Sequence, residues 1–186
     1  MATFKSQNCV LIVSKRHEDH RGFFAETYNK KEYQELGIND VFVQDNHSVS
    51  AESGTLRGLH FQAPPSGQAK LVRCGRGALF DVVVDIRNGS PTFGQWEGYE
   101  LSERNGHQLY VPIGFAHGFI SLEPHTEIVY KCSAYYDPLA EGGLHWSDRK
   151  IGITWPLNGE PIVSDKDTKA PTLEELNSPF HYGVNS

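Results

Sequence analysis

The stretch LFDVVVDIR, Leu79 to Arg87, decides how this chain is read. Phe80, Val82, Val84 and Ile86 fall on one side of a period-two pattern, and Asp81, Val83 and Asp85 on the other. Successive side chains of a strand point to opposite faces, so a run this apolar belongs to a strand in a sheet packed on both sides. Asp81 and Asp85 read as structural partners for basic groups, with a supporting role at a site left open for Asp81. Further runs follow: GQWEGYELS, HQLYVP, HGFISLE and TEIVYKCSAYY, separated by short breaks containing Gly, Pro, Asn or Glu. Regular strands with brief connections predict an all-β protein, an antiparallel sandwich or barrel.

Outside these runs the pattern changes. Asn29 as N-cap, Glu32 three positions on and Gly37 after Leu36 predict one short helix. Beyond Trp155-Pro156 the chain becomes a polar tail, with a second short helix expected near Thr172 to Leu176. The three tryptophans, Trp96, Trp146 and Trp155, are expected to pack the core or a subunit interface.

Bulk properties narrow the class. A chain of 186 residues suits one domain able to bury roughly 70% of its unfolded surface. The net charge of -6 argues against nucleic acid or an anionic membrane as general partners, because the long-range field repels both. Cys9, Cys74 and Cys132 are odd in number and lack CxxC spacing, which suggests neither a disulfide framework nor a structural zinc site. MATFKSQNCVLIV has no long apolar region, and no window approaches a membrane span, so the expectation is a cytoplasmic protein.

The stretch LRGLHFQ, Leu56 to Gln62, is unusual for a strand because it carries Arg57 and His60. Gly54 and His60, then Gly106, Pro112, Gly114 and His117, are spaced in a way that resembles the two signature stretches of the cupin superfamily, whose jelly-roll barrel often holds a metal in its mouth. The metal-binding version of that pattern wants a second histidine where Gln62 stands and a carboxylate soon after, where Lys70 comes instead. A cation there opposes a divalent metal, so no metal and no cofactor are expected, and proton transfer replaces Lewis acidity as the expected chemistry.

HRGFFAETY, FVQDNHS, LRGLHFQ, KLVRC, VVDIRNGSPTFGQW, VPIGFAHGF, IVYK and SDKD, in unbroken order from Arg21 to Asp167, resemble the dTDP-4-dehydrorhamnose 3,5-epimerase family. The resemblance implies a cupin-type jelly roll with a few short peripheral helices, one domain over 1–186 with its barrel at about 40–137, and an N-terminal arm and C-terminal tail packed on it. It implies a dTDP-4-keto-6-deoxyhexose substrate inverted at C3 and C5 beside the C4 ketone, toward a precursor of L-rhamnose. His60 is implied as base, Asp167 as its orienting carboxylate, Tyr130 as acid on the far side and Lys70 as the cation at the C4 oxygen. Arg21, Phe24, Glu26, Gln44, Asp45, Asn46, Arg57, His117, Glu141 and Lys166 are implied to contact the ligand, with Tyr136 stacked on the nucleobase. Arg21 and Glu26 are implied to reach across to a neighbouring subunit's site in a homodimer. Phe61 stands where a tyrosine is usual in the family.

The implied roles make chemical sense. Removing a hydrogen beside a ketone needs a positioned base and a partner for the charge growing on oxygen. Inversion adds a second demand, because the proton must return on the opposite face. Imidazole titrates near neutrality, and a phenol donates a proton without carrying charge at rest. Strand parity puts Tyr130 with Tyr136, Gln44 with Asn46, and His60 with Gln62. Arg57 has the wrong parity to join His60 unless the strand bulges, and Gly58 is where a bulge is expected. Two alternatives stay open: inversion at C3 alone, and a cupin that binds a sugar nucleotide without turnover.

Overall fold

A computed structural model describes residues 9–183. Residues 1–8 and 184–186, which include most of the opening stretch read for a leader and both ends of the expected domain, lie outside the described residues. The strands are β1 (Val10–Val13), β2 (Arg16–Asp19), β3 (Gly22–Ala25), β4 (Gln44–Ser50), β5 (Leu56–Gln62) and β6 (Lys70–Arg76). They continue with β7 (Ala78–Asp85), β8 (Trp96–Ser102), β9 (His107–Val111), β10 (Phe115–Ser121), β11 (Thr126–Cys132) and β12 (Glu141–Gly143). Two five-stranded antiparallel sheets, ordered β1-β9-β6-β11-β4 and β12-β5-β10-β7-β8, face each other as a jelly roll, and β2 and β3 form a separate hairpin.

The alternation in β7 explains how the layers stack. Leu79 and Val83 join Val72, Leu101, Leu109 and Ile128 in the core between the sheets. Val82, Val84 and Ile86 join an outer core with Leu59, Phe61, Ala116 and Ile120. The C-terminal tail covers that outer face with Leu144, Ile151, Trp155, Leu173 and Phe180. Trp155 is buried there and Trp96 and Trp146 pack against it, so the tryptophans serve the core. Asp85 ends β7 by gathering the next turn: its carboxylate meets Arg87 Nη2 at 2.6 Å and accepts from Ser90 Oγ at 2.6 Å and Thr92 Oγ1 at 2.7 Å.

The first helix is α1 (Lys30–Glu35), where Asn29 Oδ1 accepts from Lys31 N at 3.1 Å and Gly37 follows with φ +83°. At Thr172 to Leu176 there is a single hydrogen-bonded turn rather than a helix, because Leu173 N is drawn to Asp148 Oδ2 at 2.6 Å and Leu173 is committed to the outer core. One helical segment appears where none was expected, a 3₁₀ turn over Asp167–Lys169.

Between β5 and β10 the register shifts: His60 pairs with His117, but Arg57 pairs with Phe119. Gly58 and Leu59 therefore stand opposite Gly118 alone. This is the expected bulge, and it flips strand parity, since Leu56 and Leu59, three apart, both join the outer core. Arg57 and His60 are thereby turned to the other side together. Gly58 takes φ +121°, and a Cβ on it would lie 2.6 Å from Gly118 Cα and 2.9 Å from His117 O. Only glycine fits.

Candidate active site

Inward parity collects the candidate groups inside the barrel mouth. From the second sheet come His60 on β5, His117 on β10 and Asp81 on β7; from the first come Lys70 on β6 and Tyr130 on β11. Lys70 shares its face with Val72 and Cys74, and Tyr130 packs against the same inner core. His60 and Tyr130 thus approach one space from opposite walls.

Two cavities of about 490 Å³ each have His60, Lys70 and Tyr130 in common. Arg57, His117, Lys166 and Asp167 line the first. Gln44, Asp45, Asn46, Tyr136 and Glu141 line the second. Tyr130 and Tyr136 end in one cavity for a reason other than strand parity, because β11 stops at Cys132. Instead Gln44 Oε1 accepts from Tyr136 N at 3.0 Å and Gln62 Oε1 from Asp137 N at 3.0 Å, which ties the chain after β11 to the cavity rim.

His60 Nε2 lies 2.7 Å from Asp167 Oδ1, and Gly58 N donates to Asp167 Oδ2 at 3.2 Å. Both oxygens of this buried carboxylate are therefore engaged, one by the bulge that reorients β5. Ser164 Oγ accepts from Asp167 N at 3.2 Å and steadies the 3₁₀ turn that presents it. Burial lowers the pKa of His60, and the nearby Lys70 and Lys166 ammonium groups lower it further against the pull of Asp167. Desolvation also lowers Lys70, opposed by Cys132, Asp81 and Glu141. Burial raises Tyr130, so this phenol stays protonated near neutrality.

Glu141 Oε1 meets Lys166 Nζ at 2.5 Å while Glu141 Oε2 accepts from Tyr136 Oη at 3.0 Å, linking three chain segments at the rim. Burial acts to raise Glu141, but these two hydrogen bonds outweigh it and hold the carboxyl low. Gln44 Nε2 donates to Asn46 Oδ1 at 3.0 Å, and Asp45 pairs with Lys131 at 2.8 Å. Gln62 is buried and donates to the carbonyls of Ser66 and Tyr135, so it acts as a brace. Among the described residues no three His, Cys, Asp or Glu side chains converge as a metal-holding group.

Arg21, Phe24 and Glu26 are not brought to these cavities. They lie on or beside the β2–β3 hairpin, where exposed Arg21 pairs with Asp19 at 2.5 Å, Glu26 accepts from Asn29 Nδ2 at 2.7 Å and Phe24 is 70% exposed. The Gly58 N–H and Ser164 are not foreseen from the sequence, whereas Asp81 is expected there as a structural partner for a basic group with a supporting role at the site left open.

Fold and site together define a cupin-type barrel with acid–base groups in its mouth. The chain belongs to the dTDP-4-dehydrorhamnose 3,5-epimerase family, whose model matches residues 4–175. A dTDP-4-dehydrorhamnose 3,5-epimerase of Sinorhizobium fredii is 50% identical over 172 residues, 92% of this chain and 88% of that protein. The crystal structure of a Legionella pneumophila 3,5-epimerase in complex with dTDP-4-keto-L-rhamnose superposes with a TM-score of 0.93 at 44% identity, covering 98% of this chain and 97% of that one. A 3'-monoepimerase of Streptomyces bikiniensis in complex with dTDP-quinovose superposes with a TM-score of 0.88 at 37% identity, covering 94% and 88%.

Proposed function

We propose that this chain inverts C3 and C5 of dTDP-4-dehydro-6-deoxy-D-glucose, giving dTDP-4-dehydro-L-rhamnose, by proton transfer between side chains and substrate. The observation that carries this reading is that His60 and Tyr130, from opposite sheets, line the same two cavities with Lys70 beside them. The sugar ring sits at that shared waist. With Nε2 held by Asp167, His60 takes the α-proton at Nδ1. The Lys70 ammonium balances the charge that grows on the C4 oxygen, a contribution worth about 10²–10³-fold per donor in comparable sites. Tyr130 delivers a proton to the opposite face, which completes inversion. Arg57 offers its fork to the diphosphate, and the exposed ring of Tyr136 supports the base.

The hairpin carrying Arg21, Phe24 and Glu26 serves a neighbouring subunit's cavity in a homodimer. Its distance from this chain's own site and its exposed Phe23 and Phe24 support that arrangement. Three buried cysteines outside any disulfide among the described residues suit a reducing cytoplasm.

Inversion at C3 alone is the second reading, favoured by the structural likeness to the Streptomyces bikiniensis monoepimerase. Incubation with the keto-sugar nucleotide in heavy water separates the two. Double inversion labels C3 and C5, whereas label confined to C3 selects the second reading. Binding of the nucleotide sugar with no label at either carbon abandons both. In the same assay Tyr130→Phe is expected to keep exchange while product formation falls by about 10²-fold or more, the scale of a lost general acid. Full epimerisation by Tyr130→Phe removes Tyr130 from the acid's role.

A further inference from the structure

Asp81 is out of place in the barrel. It is 0% exposed and sits on the inward face of β7 between Leu79 and Val83, two residues of the core between the sheets. Both of its oxygens approach one atom, His117 Nε2, at 2.8 and 3.0 Å. Among the described residues no arginine or lysine forms an ion pair with it, unlike Asp85 four residues on, which is clamped by Arg87. A carboxylate buried among apolar side chains costs several kcal/mol unless other groups repay it. Replacing both members of such a buried pair by hydrophobes of similar size is often neutral or stabilising. Packing therefore gives no reason for an aspartate here.

The surroundings supply one. His117 is the register partner of His60 on the neighbouring strand and lines the cavity with His60 and Lys70. The barrel mouth thus holds two imidazole–carboxylate couples side by side, His60 with Asp167 and His117 with Asp81. We propose that Asp81 is a positioning residue of the reaction: it fixes His117 with Nε2–H turned inward and Nδ1 left for the substrate side, and it supplies the counter-charge that keeps the Lys70 ammonium in place behind the C4 oxygen. This deepens the epimerase reading and rests on it. The groups bearing on Lys70 are Cys132 and Tyr130 from β11, Asp81 from β7, Glu141 from β12 and His60 and His117 from β5 and β10. Of the two carboxylates, Asp81 lies inside the barrel, whereas Glu141 sits at the rim and is already committed to Lys166 and Tyr136. Desolvation pulls Lys70 toward the neutral amine, and Cys132, Asp81 and Glu141 oppose it.

Asp81→Asn tests this with little change of shape. An amide at this position can present its NH₂ to Nε2 and impose the other tautomer, as happens when a serine-protease triad aspartate becomes asparagine. The expected result is a fall of about 10- to 100-fold in kcat, the range for loss of an orienting partner, with KM changed far less. The alkaline limb of the kcat–pH profile moves to lower pH, because Lys70 loses its proton earlier without the buried charge. Asp81→Glu, which keeps the charge, restores the alkaline limb toward that of the parent chain. Thermal melts of Asp81→Asn check that it still folds, since removing one partner of a buried pair costs stability.

Solvent-deuterium exchange into the keto-sugar nucleotide is the readout. If the parent chain exchanges nothing, the epimerase reading itself fails. If the parent chain exchanges and Asp81→Asn matches it in rate and pH profile, Asp81 has no positioning role and the inference is overturned. Should Asp81→Asn not fold, ¹⁵N spectra of histidine-labelled parent protein decide: Nε2 of His117 carrying its proton across the neutral range supports the assignment, and a bare Nε2 refutes it.

Discussion

Replacing His60 with alanine is expected to lower turnover by about 10²–10⁴-fold, the usual contribution of a general base, while affinity for dTDP stays close to that of the parent chain. The separation follows from where the residue sits. His60 lies at the waist shared by the two cavities, whereas Arg57 and Tyr136, the proposed diphosphate and base contacts, lie one in each. An interaction made with the reacting carbon matters in the transition state and little in the ground state. Turnover followed by NMR and dTDP binding followed by calorimetry check the two halves; a variant that still turns over within a few-fold of the parent chain removes His60 from the base's role. The parent chain's pH profile gives a second reading of the same group. A base must be neutral to act, and burial with two nearby ammonium groups holds His60 below its usual value of 6.5. Activity is therefore expected to persist as pH falls through 6.5 and to be lost only below it. An acid limb centred above 6.5 contradicts the environment described for this imidazole.

Much of this arrangement was readable before any coordinates. The faces of LFDVVVDIR emerge as two separate cores, because period-two patterning is a direct record of which side of a sheet each residue occupies. His60, Lys70, Tyr130 and Asp167, singled out through the family resemblance, line one cavity. What escaped the sequence has physical causes. The Gly58 amide became a site group only because a bulge removed it from the strand ladder, and no residue identity announces where a free N–H will point. Thr172 to Leu176 was expected to form a short helix, yet the pull of Asp148 and the outer core on Leu173 decided its shape, a tertiary preference overriding a local one. Asp81 was visible as a charge on the face it shares with Val83 and Asp85. That it meets an imidazole, and not an arginine, depended on the pairing of β7 with β10, which sets Asp81 opposite Phe119 and leaves His117 two positions away on the same face.

Gly58→Ala is expected to damage stability and both functions of the site at once, which distinguishes it from His60→Ala. A Cβ at this position meets backbone, Gly118 Cα at 2.6 Å and His117 O at 2.9 Å, so no side chain can rotate away to make room. The φ of +121° is itself strained for any residue with a Cβ, at about 1–3 kcal/mol, and the forced overlap adds a further ~1–3 kcal/mol. A melting temperature lower on the order of 10 °C follows for a domain of this size. Relief lies in straightening β5, and that motion has two chemical consequences. It returns Arg57 to the outward parity of Leu59 and Phe61, away from the cavity, so nucleotide affinity falls. It also withdraws the Gly58 N–H from Asp167 Oδ2, so the carboxylate that orients His60 loses one of its anchors and turnover falls with it. Thermal melts, dTDP binding and turnover of one preparation examine all three. If Gly58→Ala melts with the parent chain and keeps both affinity and rate, the bulge is not what turns Arg57 and His60 to the same side, and the account of the site has to begin elsewhere.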